Sequence, residues 1–176
     1  LIRENRKPSP MHNNCSGKHT GFLSTARFYQ ESLKGYVDYN HPVQQRIVKV
    51  LEEMTGVSLK QAPKGIDGCG IPVIGIPLFE TAYAMARMAD PTGLPPSRQQ
   101  AIRQIVYAIQ EHPLMIAGHG RFCSILTERL QERGFAKVGA EGVYIAVLPQ
   151  KGLGVALKAA DGAIRAAEMA LVKILL

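Results

Sequence analysis

The chain has 176 residues, of which 46% are hydrophobic and 20% charged, with a formal net charge of +7. That length and composition fit one globular domain spanning residues 1–176 and exclude a disordered or low-complexity protein. The basic excess is spread out, its one tight group being Arg3, Arg6 and Lys7; with no recognition motif and little aromatic interleaving, nucleic-acid binding is set aside.

Leu1 to Met11 reads as an irregular lead-in. The chain starts without Met and without a signal-peptide pattern, which suggests part of a longer or trimmed polypeptide. His12-Asn13-Asn14-Cys15-Ser16-Gly17-Lys18-His19 then crowds two imidazoles, a thiol, an amine, two amides and a hydroxyl into eight residues. It runs into an amphipathic segment, Thr20 to Gln30, with Phe22, Leu23 and Ala26 as an apolar stripe and Asn13, Asn14 or Ser16 as N-cap candidates. A turn helical from Cys15 places Cys15, Lys18 and Phe22 on one inward face. A neutral amine beside a thiolate is a metal-ligand pair suited to zinc. The competing reading has Lys18 reaching solvent and Cys15 as a small core residue. Residue types alone favour the second, because Lys is a rare ligand.

Gly35 to His41 is a polar turn. His41-Pro42 opens a helix to Thr55 with Val43, Ile47, Val50, Leu51 and Met54 on one face and Gly56 as its stop. Gly65-Ile66-Asp67-Gly68-Cys69-Gly70-Ile71-Pro72 has three glycines in six residues, so the backbone turns sharply or approaches something closely. If extended, it points Asp67 and Cys69 the same way. It is either a second half-site facing Cys15 or a Gly-rich turn with a structural Asp. A strand over 73–76, a helix from Pro77 to Ala89 and a helix capped by Ser97 and running to Glu111 follow. In the latter, Ile102, Ile105, Val106 and Ile109 are expected to be buried. Gly118-His119-Gly120-Arg121 precedes a helix over 122–133. A helix N-terminus with an Arg fork suits a substrate carboxylate, against a plain helix-entry turn with a surface Arg. Strands at 135–138, 143–148 and 155–158, the latter two joined by a hairpin at 149–152, and a helix over 163–175 complete the chain. The expected class is α/β of the α+β kind, an antiparallel sheet with helices packed on it.

No segment spans a membrane: the stretch 71–79 is broken by Pro72 and Pro77, and the last helix carries Arg165, Glu168 and Lys173. Cys15, Cys69 and Cys123 are odd in number without framework spacing, favouring reduced thiols in a cytoplasmic setting. There is no P-loop, no Gly-x-Ser-x-Gly, no His-Glu-x-x-His, and no Ser followed three residues later by Lys.

Four stretches together resemble the thermolabile, Rhizobium-type L-asparaginase II family: His12 to His19, Asp67-Gly-Cys-Gly-Ile-Pro72, Gly118-His-Gly-Arg-Phe122 and Lys137-Val-Gly-Ala-Glu-Gly142. Their order and spacing agree, and Asp161-Gly-Ala-Ile-Arg165 is similar to the family's last helix start. The resemblance implies a fold like that of serine β-lactamases and glutaminases, here incomplete at its N-terminus. It implies hydrolysis of L-asparagine to aspartate and ammonia. It also implies a zinc held by Cys15, Lys18 and Cys69 with a water as fourth ligand, reversing the residue-type reading of Lys18. Asp67 then hydrogen-bonds that water or orients substrate, with His19 and Arg121 as further substrate-binding candidates. Lys137 matches the family's downstream catalytic lysine, an activating base for a serine; the competing reading is a strand-end Lys in solvent. The family's Ser-x-x-Lys pair would lie upstream of this chain, which alone would then lack the nucleophile. A homodimer is implied by the resemblance only. The rival expectation is a non-catalytic zinc-binding scaffold or a fragment needing a partner segment, and a more distant one is a metalloamidase whose metal activates water.

Overall fold

The computed structural model describes residues 1–176. They form two compact units, one of residues 1–53 and 58–75, the other of residues 54–57 and 76–176. Seven helices and two small antiparallel sheets make the chain α+β, as expected. No helix is long and apolar enough to cross a membrane.

The first unit starts with two exposed 3-10 turns, Ile2–Glu4 and Pro10–His12. Helix α1 is Ser16–Phe28 and helix α2 is Pro42–Thr55. Gly56, at φ +77°, ends α2 as its position after the last apolar residue suggested. The segment between the helices is latched to α2. Gln44 donates its side-chain amide to the Tyr36 carbonyl at 2.8 Å and Gln45 to the Tyr39 carbonyl at 2.7 Å. Arg46 pairs with Glu31 at 2.5 Å and lies 3.6 Å over the Tyr29 ring. Strands β1, Lys64–Ile66, and β2, Pro72–Ile74, form a short antiparallel ribbon. β1 escaped the sequence reading because Lys-Gly-Ile is too short to show alternation. Ala26, Val43, Val48, Leu59 and Ile71 are the unit's buried apolar side chains.

The second unit is built on a three-stranded sheet ordered β3-β4-β5: Phe135–Val138, Val143–Leu148 and Leu153–Lys158. The register pairs Ala136 with Ala146 and Phe135 with Val147. The period of two therefore sends Ala136, Val138, Tyr144 and Ala146 to one face and Phe135, Lys137, Ile145 and Val147 to the other. On the first face Ala136, Tyr144 and Ala146 form a core with Cys123 of helix α6, Phe122–Leu130, and with Ala167 and Leu171 of helix α7, Ile164–Leu175. Helix α3, Leu78–Ala89, packs on β4 and β5, touching β5 at Gly154, the partner of Val147. Helices α4, Pro96–Glu111, and α5, Leu114–Ala117, complete the unit.

Several boundaries moved. Helix α4 starts at Pro96 behind Pro95, so Ser97 is not its cap, and Ile105 is 49% exposed. Proline is favoured at the first helical position, where its fixed φ suits the helix and its missing N–H would have had no partner. Helix α6 stops at Leu130 and passes into a 3-10 turn at Gln131, whose φ of +51° breaks the helix. The stretch 72–74, not 73–76, forms the strand, because Gly75 N–H instead bonds the Pro63 carbonyl at 2.8 Å.

Two stability effects follow from these contacts. A Cβ on Gly154 would run into the Ala86 nitrogen and the Ala82 carbonyl of α3, backbone atoms with no rotamer to yield. Gly154→Ala should cost about 2–3 kcal/mol in urea unfolding; an unchanged midpoint would refute the close approach. Burial and a 2.9 Å hydrogen bond to Glu168 push the Tyr144 phenol far above its ordinary 10.0. Its stabilisation is then complete below pH 10 and declines above it, where only the unfolded phenol ionises, by up to about 1.4 kcal/mol per pH unit. Urea midpoints measured between pH 9 and 11 should fall less steeply in Tyr144→Phe than in wild type.

Candidate metal centre

Cys15 is the residue that caps α1, with φ −97° and ψ 4°. The N-cap is therefore none of the three candidates read from sequence, but Asn13 acts one step earlier: its Oδ1 accepts the Cys15 N–H at 2.8 Å. This Asx-type turn fixes the thiol-bearing residue before the helix begins. Lys18 and His19 follow in the first turn of α1.

Asp67 and Cys69 come from the turn that closes the β1–β2 ribbon. Asp67 N–H bonds the Ile71 carbonyl and Gly70 N–H bonds the Asp67 carbonyl, both at 2.8 Å. Gly70 takes φ +88°, a conformation glycine adopts without strain. The stretch is thus a tight turn and not extended, yet it brings the two side chains together: the Cys69 thiol donates to Asp67 Oδ2 at 3.5 Å. Asp67 Oδ1 is held by the Gly68 N–H at 2.7 Å.

The two segments meet. Sγ of Cys15, Sγ of Cys69 and a carboxylate oxygen of Asp67 all lie within 4.8 Å of one another. Lys18 Nζ donates to Asp67 Oδ2 at 3.0 Å. The Lys18 stem lines a small apolar cleft with Phe22, Ile47, Leu51 and Ile71, while its side chain stays 38% exposed. The expected inward face is therefore only half right. Cys15 is half-buried, and Lys18 runs along apolar surface with its amine at the rim.

Charge and burial set the protonation. Burial, and next the hydrogen bond with Cys69, push the Cys15 thiol up, partly opposed by Lys18. For Lys18, burial by itself would lower the ammonium, but Asp67 and then the Cys69 thiol outweigh it and raise it. Lys18, followed by the Gly68 N–H, holds the Asp67 carboxyl below its ordinary range. An ion pair this exposed contributes at most about 1 kcal/mol. The cluster is thus no structural tie of consequence. Its chemistry points to a cation: a tetrahedral centre with metal–sulfur bonds of about 2.3 Å spaces its donors about 3.8 Å apart. Cys15, Asp67 and Cys69 reach that spacing with small shifts, so this group can hold a metal, on binding which the thiols give up their protons.

Beside the cluster lies a cavity of about 540 Å³ lined by Asn13, Ser16, His19, Tyr36, Gly68 and Cys69, among others. His19 Nδ1 is 2.6 Å from the Tyr36 hydroxyl. Tyr36 was missed: one Tyr in a polar turn carries no sequence signal of its own.

The remaining candidates belong to the second unit and not to this cluster. Lys137, half-buried on β3, donates to its neighbour's carbonyl, Val138 O, at 2.9 Å. Arg121 caps α6 and borders a cavity of about 400 Å³ with Cys123, Tyr144 and Glu168. Cys123 is a buried core thiol that accepts the Val138 N–H at 3.2 Å, which gives the third cysteine a structural place.

Among known families, L-asparaginase II matches residues 1–176, the whole chain. No curated protein matches it.

The paired thiols make cadmium a direct probe. Titrating the metal-free chain with cadmium should produce a near-ultraviolet thiolate-to-metal band that disappears in Cys15→Ser and in Cys69→Ser. Asp67→Asn should keep the band and weaken binding about 10- to 100-fold. An unaltered band in either serine variant would separate that thiol from the centre.

Proposed function

The chain belongs to the L-asparaginase II family, and from that membership we propose that it hydrolyses the side-chain amide of L-asparagine to L-aspartate and ammonia. The observation that carries this reading is the family match along all of residues 1–176. The metal-capable thiol cluster, on the segments that the sequence resemblance singled out, supports it.

The metal is assigned as zinc, whose preference for thiolate and nitrogen donors suits the set. Cys15, Lys18 and Cys69 hold it. Bound zinc supplies a fixed positive charge and a cross-link between α1 and the β1–β2 turn. Lys18 must then be a neutral amine, so the Asp67 carboxylate loses its ammonium partner. That leaves Asp67 free to take the α-ammonium of asparagine. Arg121 offers a guanidinium fork to the substrate carboxylate, and His19 presents its ring to the cavity beside Cys69.

Lys137 is assigned as the base of a Ser–Lys type mechanism, in which a neutral amine takes the proton of an attacking hydroxyl. No Ser in the chain is followed three residues later by Lys, so these residues supply the amine and the nucleophile is not assigned among them. The fold assignment that goes with this mechanism is the one shared by serine β-lactamases and glutaminases. Three free thiols suit the cytoplasm, and the working form is assigned as a homodimer.

Ammonia release from L-asparagine by the intact protein tests the reading. Lys137→Ala should lower kcat by about 10²–10⁴-fold, the usual contribution of a positioned base. Lys137→Arg should not restore it, because a guanidinium stays protonated. Wild-type turnover in Lys137→Ala would remove Lys137 from the chemistry.

A further inference from the structure

The polar turn between α1 and α2 is more firmly held than a surface loop needs to be. Gln44 is 4% exposed, and its amide is spent on the Tyr36 carbonyl at 2.8 Å. Burying an amide is costly unless it is hydrogen-bonded, so this bond fixes where the Tyr36 backbone sits. Gln45 repeats the device on Tyr39, and the His41 ring reaches the Ser32 carbonyl at 2.8 Å. Gly35, at φ +76°, makes the bend that turns the chain into Tyr36. What this bracing presents is one hydroxyl, 2.6 Å from His19 Nδ1, with the two rings edge to face at 86°.

A neutral imidazole carries one donor and one acceptor nitrogen, and the partner of one decides the role of the other. The Tyr36 hydroxyl meets one protein group, His19 Nδ1, and a phenol is a stronger acid than a neutral imidazole N–H, which favours the phenol as the donor. Donating there leaves Nδ1 unprotonated and places the ring proton on Nε2. No protein group engages Nε2, and His19 lines the 540 Å³ cavity together with Tyr36, Ser16 and Cys69.

We infer that Tyr36 is a positioning residue that locks His19 in its Nε2–H form, so that His19 meets the ligand of this cavity as a hydrogen-bond donor to a carbonyl or carboxylate oxygen and not as a base. The inference rests on the asparaginase reading only for the identity of that ligand. Because the hydroxyl is delivered by the α2-braced turn, its loss leaves α1 and the thiol cluster in place. Its effect is on how tightly an oxygen is held and not on proton transfer.

Two measurements separate this inference from the activity that frames it. In protein carrying ¹⁵N-histidine, long-range proton–nitrogen correlations, with His19→Gln used for assignment, should show His19 as the Nε2–H form. In Tyr36→Phe the two forms should mix while metal content stays that of wild type. An Nδ1–H ring in wild type, or an unchanged ring in Tyr36→Phe, overturns the inference whether or not the protein turns over asparagine. In the asparaginase assay, Tyr36→Phe should raise KM about two- to fivefold, the cost of a ring only partly in the Nε2–H form, with kcat unchanged within about 50%. His19→Gln, which keeps an N–H but cannot act as a base, should retain most of the kcat/KM that His19→Ala loses. A fall in kcat at unchanged KM, or a His19→Gln variant as impaired as His19→Ala, overturns the donor role. Absence of asparagine turnover in wild type overturns the asparaginase reading and leaves the ring measurement to decide this one.

Discussion

The first unit depends on one backbone constraint, the pair of hydrogen bonds that closes the Asp67–Gly70 turn. They turn Asp67 and Cys69 toward each other at the tip of a ribbon only three residues long on each side. Ile71, buried next to the turn, anchors that tip in the apolar interior. The result is a contact between Lys18 and Asp67 across 49 residues of sequence. Loop closure over such a span is entropically costly, and an exposed ion pair does not repay it. The convergence is therefore produced by the apolar packing beneath, and the polar cluster is what that packing presents.

The same separation of labour runs through the second unit. Gly154 admits α3 directly onto the sheet, and the small residues Ala136 and Ala146 leave room on the opposite face for Tyr144 and Leu171. Lys137 projects from the face opposite Tyr144, because their strand positions differ by one in register. Its hydrogen bond to Val138 O keeps it within the sheet's own framework.

How much of this was legible follows from what each residue's signal depends on. Helix α2 could be drawn in advance because Pro42, Gly56 and a 3.6-residue apolar period are local facts. The three main strands were legible as short apolar segments set off by turn residues, the last two joined by the hairpin at 149–152. β1 was not, having three residues and no pattern, and α5, with four residues, failed for the same reason. In the site, the chemistry of Cys15, Lys18, Asp67 and Cys69 was visible from residue types, while their meeting was offered by the residues only as one of two readings and was implied by the resemblance, since it depends on a turn whose partner lies far along the chain. Extended geometry was the wrong reason for pairing Asp67 with Cys69. Three glycines allowed the alternative, a turn that folds the two side chains onto one side. Tyr36 was invisible because its place beside His19 is set by partners distant in pattern, above all Gln44, a buried amide of α2.

The proposed function requires two thiols and an amine to converge on one cation. X-ray absorption at the zinc edge of the purified protein tests that directly. The expected spectrum has two sulfur neighbours at about 2.3 Å and nitrogen or oxygen neighbours at about 2.0–2.1 Å. A protein that retains no zinc, or a zinc surrounded by nitrogen and oxygen alone, would contradict it.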